Sequence, residues 1–341
     1  MYNTLNMNTS KLKHPSFSVV VETENLGMAG LDDLEASLDS LKKQDFSIKN
    51  AKEVLIIVGS HVSKEIQNRI KKKYPLVKLH LESGALDYAK SKMLGAKIAK
   101  GEIVIFADSD MRYEKTWLGN MIQSFVKHPK GFIMSGDTRL KNDSDYKFSL
   151  NISWMMQILS DKITEPVPTT YFPLNNFAIR KTDMLKTPLP YELPLYRNKI
   201  PLWEKMLLMN GNKVLRIPGT RGFHAPPGNF TDWLYRMLIY GSDFVALGDF
   251  YVNTKGKVIE KNDFKRRLFN FIFLFPWKME QIMINSFKLL KEDFRNVQFL
   301  PIGATLAIIN SVAIQFGALL GLINRNYMFN KINERENSHI V

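Results

Sequence analysis

This sequence predicts an α/β fold with a mainly parallel central sheet, followed by hydrophobic, membrane-associated C-terminal helices. Three observations predict it. Four short apolar runs alternate with helix-patterned segments over the first 110 residues, which is the order of βαβ units. Those runs are almost continuously apolar, as strands covered on both faces are. Beyond residue 260 the pattern changes to long apolar stretches, and from Asn296 to Asn324 there is no Asp, Glu, Lys, Arg or His.

FSVVVE from Phe17 reads as the first strand, and LDDLEASLDSLKKQ carries apolar residues at helical spacing. EVLIIVGS is a second strand, KEIQNRIKKKY an amphipathic helix and LVKLHLES a third strand. YAKSKMLGAKIAKG is a helix ending in glycine, and EIVIFADSD a fourth strand. After Trp117 the pattern loosens. GFIMSGDTRL predicts a strand, SLNISWMMQIL a helix, and PTTYFPLNNFAIRKTDML a loop, strand and short helix. WEKMLLMNG is a helix capped at Gly211, and KVLRIPGTRGFHAPPG a strand leading into a loop. RRLFNFIFLFPWKMEQIMI is apolar but broken by Pro276, which predicts an interfacial or re-entrant helix. The charge-free run after it exceeds the roughly 20 residues a spanning helix needs, and Gly317 and Gly321 have the spacing that lets helices approach closely.

The expected division is a flexible start at 1–15, a catalytic domain at 16–255, an interfacial segment at 256–295, a transmembrane helix at 296–324 and a polar tail at 325–341. With 341 residues and 45% hydrophobic content, a sizeable core is available. No cysteine is present, so disulfides, thiolate metal sites and cysteine nucleophiles are excluded. A formal charge of +14 favours anionic partners such as phosphorylated small molecules or acidic headgroups. The basic residues are spread along the chain without any nucleic-acid-binding motif, so nucleic acid is not expected. The polar first sixteen residues lack a signal-peptide run. With an apolar C-terminal end, that predicts a cell-membrane protein whose catalytic part lies on the cytoplasmic side. Oligomeric state is not legible.

The chemistry-bearing feature is the end of the fourth strand, IVIFADSD. Carboxylates at i and i+2 on an extended backbone point the same way, and unpaired they repel. A hard divalent cation, Mg²⁺ or Mn²⁺, resolves this, because such ions take oxygen ligands from one or two carboxylates plus substrate phosphates. Asp108 and Asp110 are therefore candidate metal ligands. They lie at the carboxyl ends of the strands, with ETEN, VGS and ES, where ligands bind in open α/β sheets.

The stretch from Tyr88 to Leu118, YAKSKMLGAKIAKGEIVIFADSDMRYEKTWL, resembles the central block of glycosyltransferase family 2, which has the GT-A fold. Lys92 and Gly95 fall on the family's (R/K)-N-x-G motif, with Met93 in place of asparagine, and Asp108 to Asp110 on its D-x-D. The opening VVVETENL is similar to the family's V-V-x-x-T-x-N, which implies that Thr23 and Asn25 belong to the nucleotide-base loop. The usual acid after the second strand is replaced by VGS, so Glu22, Glu24 or Glu82 would take over that contact. The acids of the family's E-D pair fall at Lys199 and Ile200. Glu204, a turn later, is the nearest candidate for the catalytic base, ahead of Asp232 and Glu192.

The resemblance implies an inverting transfer of sugar from a nucleotide-diphospho-sugar to a glycan or lipid acceptor, with a divalent metal at the diphosphate. It implies Lys92 as a point charge on the phosphates, His224 as a further metal or diphosphate ligand, and Asn175 and Asn176 near sugar hydroxyls. Trp117 and Trp203 read as core or stacking platforms. A nucleotidyltransferase also uses paired aspartates, but its glycine-rich, lysine-bearing first loop is missing. A membrane scaffold with a degenerate GT-A domain is the non-enzymatic alternative.

Overall fold

The computed structural model describes residues 14–23, 26–60, 62–82, 86–128, 131–141, 151–152, 163–196, 198–226 and 229–331. Strands β1 (Phe17–Glu22), β2 (Glu53–Val58), β3 (Val77–Leu81) and β4 (Ile103–Asp108) alternate with helices α1 (Leu26–Lys42), α2 (Lys64–Lys73) and α3 (Tyr88–Ile98). The strands and helices α2 and α3 fall where their sequence patterns put them; α1 starts at Leu26, ahead of the expected Leu31, with its helical run broken at Gly30. Next come β5 (Met111–Tyr113), α4 (Trp117–Lys127), β6 (Phe132–Leu140), β7 (Val167–Thr169), β8 (Asn176–Arg180), α5 (Lys181–Lys186), α6 (Ile200–Met209) and β9 (Lys213–His224). Helix α7 (Phe230–Ala246), the hairpin β10 (Phe250–Val252) and β11 (Val258–Glu260), α8 (Phe264–Glu292) and α9 (Leu300–Ile323) complete the chain. The helix expected at SLNISWMMQIL lies almost wholly outside the described residues.

The sheet runs β3-β2-β1-β4-β8-β6-β9-β5, with β7 also on β9. Its first four strands are parallel. Beyond β4 the directions mix: β8 is antiparallel to β4 and β6, whereas β6 and β9 are parallel. Alternation along each strand sends side chains to two cores. Val19 and Val21 of β1, with Ile103 and Ile105 of β4, pack under α1, α2 and α4. Val20, Val104 and Phe106 face α3 and α6. Chain order reverses between β1 and β4, the topological switch point at which a crevice opens at the carboxyl ends. There Glu22 and Asp108 are direct neighbours in register.

Two further elements differ from the sequence expectation. Strand β5 is 3 residues long, too short for a period of two to show. Helix α8 runs unbroken for 29 residues through Pro276, which is exposed. The carbonyl that the missing N–H leaves unpaired belongs to Ile272, also exposed.

Helix α9 is long and apolar enough to cross a membrane, and one stripe of it packs along α7. The small-residue spacing serves this contact within the chain. A Cβ on Gly317 would sit 2.1 Å from the Leu238 carbonyl oxygen, and one on Gly241 1.8 Å from that of Ile314. Arg325, just past α9, bonds Asp249 at 3.1 Å and Glu260 at 2.6 Å, and Arg267 of α8 reaches the same Asp249 at 2.8 Å. Backbone cannot yield as a side-chain tip does, so Gly317→Val should cost about 3 kcal/mol. Thermal unfolding and limited proteolysis between α8 and α9 would read the loss; an unchanged melting temperature would contradict this packing.

Candidate active site

The site begins with α3 seated on β1. Gly95 makes this possible, since a Cβ there would lie 2.3 Å from Val20 Cγ1. Seated so closely, α3 lays Tyr88 and Lys92, one turn apart and on one face, over the end of β4. Lys92 Nζ is 2.6 Å from Asp108 Oδ1, and the Tyr88 hydroxyl donates to Asp108 Oδ2 at 2.8 Å. Both carboxylate oxygens of Asp108 are thus engaged within the protein, and Lys92 is fully buried. The backbone is held as firmly. Ser37 donates to the Asp108 carbonyl at 2.9 Å, while Tyr113 accepts the Asp108 N–H and donates to the Asn175 carbonyl. Burial pushes the Asp108 carboxyl above its usual range; Lys92 opposes that shift and Asp110 adds to it.

Asp110 faces elsewhere. β4 ends at Asp108, and Ser109 and Asp110 form a turn, so the alternation that would have aligned the two carboxylates is broken. The chain then enters β5, which pairs antiparallel with the end of β9 and sets Met111 opposite His224. The Ala225 N–H closes the turn on the Asp110 carbonyl at 2.8 Å. This pairing carries His224 to the aspartate: Nε2 lies 3.4 Å from Asp110 Oδ2. His224 Nδ1 is engaged by the Ala225 carbonyl. That bond places a proton on Nδ1 and turns Nε2 toward the carboxylate.

Asp110 Oδ1 and Ser109 Oγ are buried with no hydrogen-bond partner among the described residues. A histidine nitrogen facing a carboxylate, with an orphaned carboxylate oxygen beside it, is a donor set that suits a hard cation. Ligands at right angles on an ion that binds oxygen at about 2.1 Å stand about 3 Å apart. Among the described residues no group of three or more acids and histidines gathers here, so such a cation would take its remaining ligands from substrate or water. The residues fit Mg²⁺ or Mn²⁺ through Asp110 and His224. Both Asp108 oxygens are engaged by Lys92 and Tyr88, so of the two aspartates Asp110 is the one with a carboxylate oxygen left without a partner.

Other expected residues divide in the same way. Lys92 was expected at the phosphates and lies beneath Asp108. Asn176 was expected near substrate but is a structural amide: its Oδ1 accepts from the Trp117 indole at 2.7 Å and its Nδ2 donates to the Asp137 and Thr220 carbonyls. Asn175 Oδ1 accepts from Thr138. Thr23 is buried, its hydroxyl bonded to the Ile57 carbonyl at 2.9 Å, which ties β1 to β2 more than it offers a base contact. Glu22 is fully buried at the switch point. Asn25 and Glu24 lie outside the described residues. Asp232 belongs to the Asn229 cap of α7. Trp203 is core, its indole on the Thr187 carbonyl.

Glu204 lies on α6. Its Oε1 accepts the Phe172 N–H at 3.2 Å. Burial pushes its carboxyl up from 4.5 to about 8, with the Phe172 bond opposing. Lys199, where the family's acid would stand, is buried on Asp87 and the Tyr191 carbonyl. The sequence reading missed Tyr88, although its spacing four residues before Lys92 was visible. It also missed Asp33 of α1, bonded to Arg112 at 2.9 Å. Burial raises the Asp33 carboxyl, and the Asp110 charge adds to the rise.

Known proteins share this fold. Among solved structures, a mannosyltransferase from Pyrobaculum calidifontis, PcManGT, in complex with GDP-Man and Mn²⁺, aligns over 92% of this chain and 88% of its own, with TM-score 0.54 and 16% identity. GalNAc-T7 with UDP, GalNAc and Mn²⁺ aligns over 67% of this chain with TM-score 0.51 and 17% identity, and this chain covers 50% of its length. At such identities the likeness is one of fold, and the fold is GT-A. No curated protein matches the chain. The family model for glycosyl transferase family 2 matches residues 18–188, half of the sequence and every strand from β1 to β8, and the chain therefore belongs to glycosyl transferase family 2.

Proposed function

We propose that this protein transfers a sugar, with inversion, from a nucleoside-diphospho-sugar to a glycan or lipid acceptor at the cell membrane. Its catalytic part would work on the cytoplasmic side. The observation that carries this reading is the buried Asp110 carboxylate, one oxygen without a partner and the other facing His224, next to the sheet's switch point. Two proteins of the same fold were solved with Mn²⁺ and a nucleotide or nucleotide sugar, which supports the donor class. Asp110 and His224 would hold Mg²⁺ or Mn²⁺; the chemistry supplied there is neutralisation of charge on the departing diphosphate. Lys92, Tyr88 and Ser37 fix the strand end from which that turn projects. Glu22 ends β1 and Thr23 follows it, and the nucleoside would lie beside that strand end.

Glu204 is the proposed base for the acceptor hydroxyl. With its carboxyl at about 8, it holds a proton at neutral pH and becomes competent as the pH rises through that value. Its folded value exceeds the unfolded 4.5. The stability it contributes is therefore complete below about pH 4.5 and lost as the pH climbs to about 8. Glu204→Gln should raise stability at pH 8 by a few kcal/mol and lower turnover about 10²- to 10⁴-fold. Higher stability with full turnover would remove Glu204 from the mechanism. The lysine at the family's acid position favours a catalytically degenerate scaffold as the second reading. A donor screen by thermal shift with Mn²⁺ and Mg²⁺, followed by UDP or GDP release, separates the two: donor binding without turnover identifies the scaffold.

A further inference from the structure

Of the 24 large hydrophobic side chains the described residues leave exposed, 18 fall between Phe264 and Tyr327. They are ordered. On α9 the stripe Gly303, Ala307, Ile314, Gly317 and Gly321 is buried, while Ile302, Ile308, Val312, Phe316 and Ile323 are exposed along the opposite side. Over 24 residues that stripe is about 36 Å long, and it carries no charge. Phe269, Ile272 and Phe273 on α8 are also exposed. The charges collect in the flanking segment: residues 255–295 hold ten Lys and Arg against five Asp and Glu. Among them Lys261, Lys265, Arg266 and Lys291 are exposed.

We propose that this face of α8 and α9 is a docking surface for an anionic lipid bilayer, and that α9 lies in the plane of the interface without crossing it. The proposal rests on the membrane-proximal acceptor advanced above and gives it a physical seat. Charge complementarity selects the occupant. A protein interface keeps a polar rim around its apolar core, whereas an uncharged apolar stripe next to a basic segment suits acyl chains with acidic headgroups above them. In-plane seating follows from the contacts that pin α9. The backbones of α7 and α9 touch at Gly241 and Gly317, Arg325 fastens the far end to Asp249 and Glu260, and Ile152 covers Gly303 at the near end. A spanning α9 would have to leave all of these. Between α7 and α9 an apolar groove of about 380 Å³, lined by Phe230, Trp233, Ile308, Val312 and Phe316, is wide enough for a hydrocarbon chain. Phe230, on its lining, follows His224 by six residues in the sequence, so a lipid tail seated there would hold its head toward the end of β9 that carries the candidate metal ligand.

The test is co-sedimentation of the full chain with vesicles of phosphatidylcholine alone or with phosphatidylglycerol added, without any sugar donor. Binding should rise about tenfold with the anionic lipid and fall with salt. Val312→Glu with Phe316→Glu should abolish it at an unchanged melting temperature. The chain has no cysteine, so single cysteines at Ile302, Val312 and Ile323 can carry a fluorophore for depth quenching. Equal depth at all three supports in-plane seating; a maximum at Val312 overturns it. Failure to bind either vesicle, or self-association without lipid that the double glutamate variant abolishes, also overturns the proposal. Since no donor is present, a failed donor screen leaves this result standing, and the reverse holds too.

Discussion

Asp110→Asn is expected to erase metal-dependent donor binding and to cut transfer by about 10²- to 10³-fold, the scale on which removal of one charge-stabilising group acts. Asparagine keeps the shape and one oxygen but loses the charge on an atom that has no partner of its own. The metal-free melting temperature should hold or rise, because a buried carboxylate with one oxygen lacking a partner is replaced by a neutral amide. The unsubstituted protein should gain about 2.7 kcal/mol from a saturating donor at a hundred times its dissociation constant with Mn²⁺ or Mg²⁺. The Asn variant should gain almost nothing. His224→Ala should share the defect. An Asp110→Asn protein that keeps its metal dependence would sink the site.

Lys92→Met is the second large effect, and it is a stability effect. The lysine is fully buried and ion-paired to Asp108 at 2.6 Å. Removing one partner of a buried pair leaves an uncompensated charge, at about 3–5 kcal/mol. Asp108→Asn in the same chain should restore most of that loss, a coupling readable by a denaturant double-mutant cycle. The burial that already raises the Asp108 carboxyl should make the single variant relatively more stable in acid, where the carboxylate takes up a proton. The resemblance implies a different outcome, in which Lys92 touches the diphosphate and its loss weakens donor binding while stability is spared. A Lys92→Met protein as stable as the parent would favour that outcome and count against the pairing.

Most of the N-terminal sheet was legible because it is periodic. Val19 to Val21 and Ile103 to Phe106 announce strands as short, unbroken runs of β-branched and aromatic residues. The D-x-D pair was legible as chemistry, since two aspartates rarely finish a buried strand without a charge to meet. Their division of labour was hidden. It depends on a turn at Ser109, and on a three-residue strand whose partner lies about 110 residues away in β9. Local period carries no information about such a pairing, so the meeting of His224 with Asp110 was an expectation only by resemblance. Asn176 misled for a related reason. An amide before a strand looks available in one dimension, but its partners come from α4, β6 and β9, which only the folded chain brings together. Small residues at Gly317 and Gly321 correctly signalled close helix contact and said nothing about whether the neighbour was another molecule or α7.

A side-chain clasp steadies the end of β6 beside His224. The Asn151 side chain accepts from the Leu140 N–H at 3.0 Å and donates to the Leu140 carbonyl at 3.1 Å, and Leu140 is the register partner of His224. Clasp and strand pairing thus meet at one point. Asn151→Ala should loosen the strand end on which the candidate ion-binding histidine sits, a loss readable as faster amide exchange at Leu140.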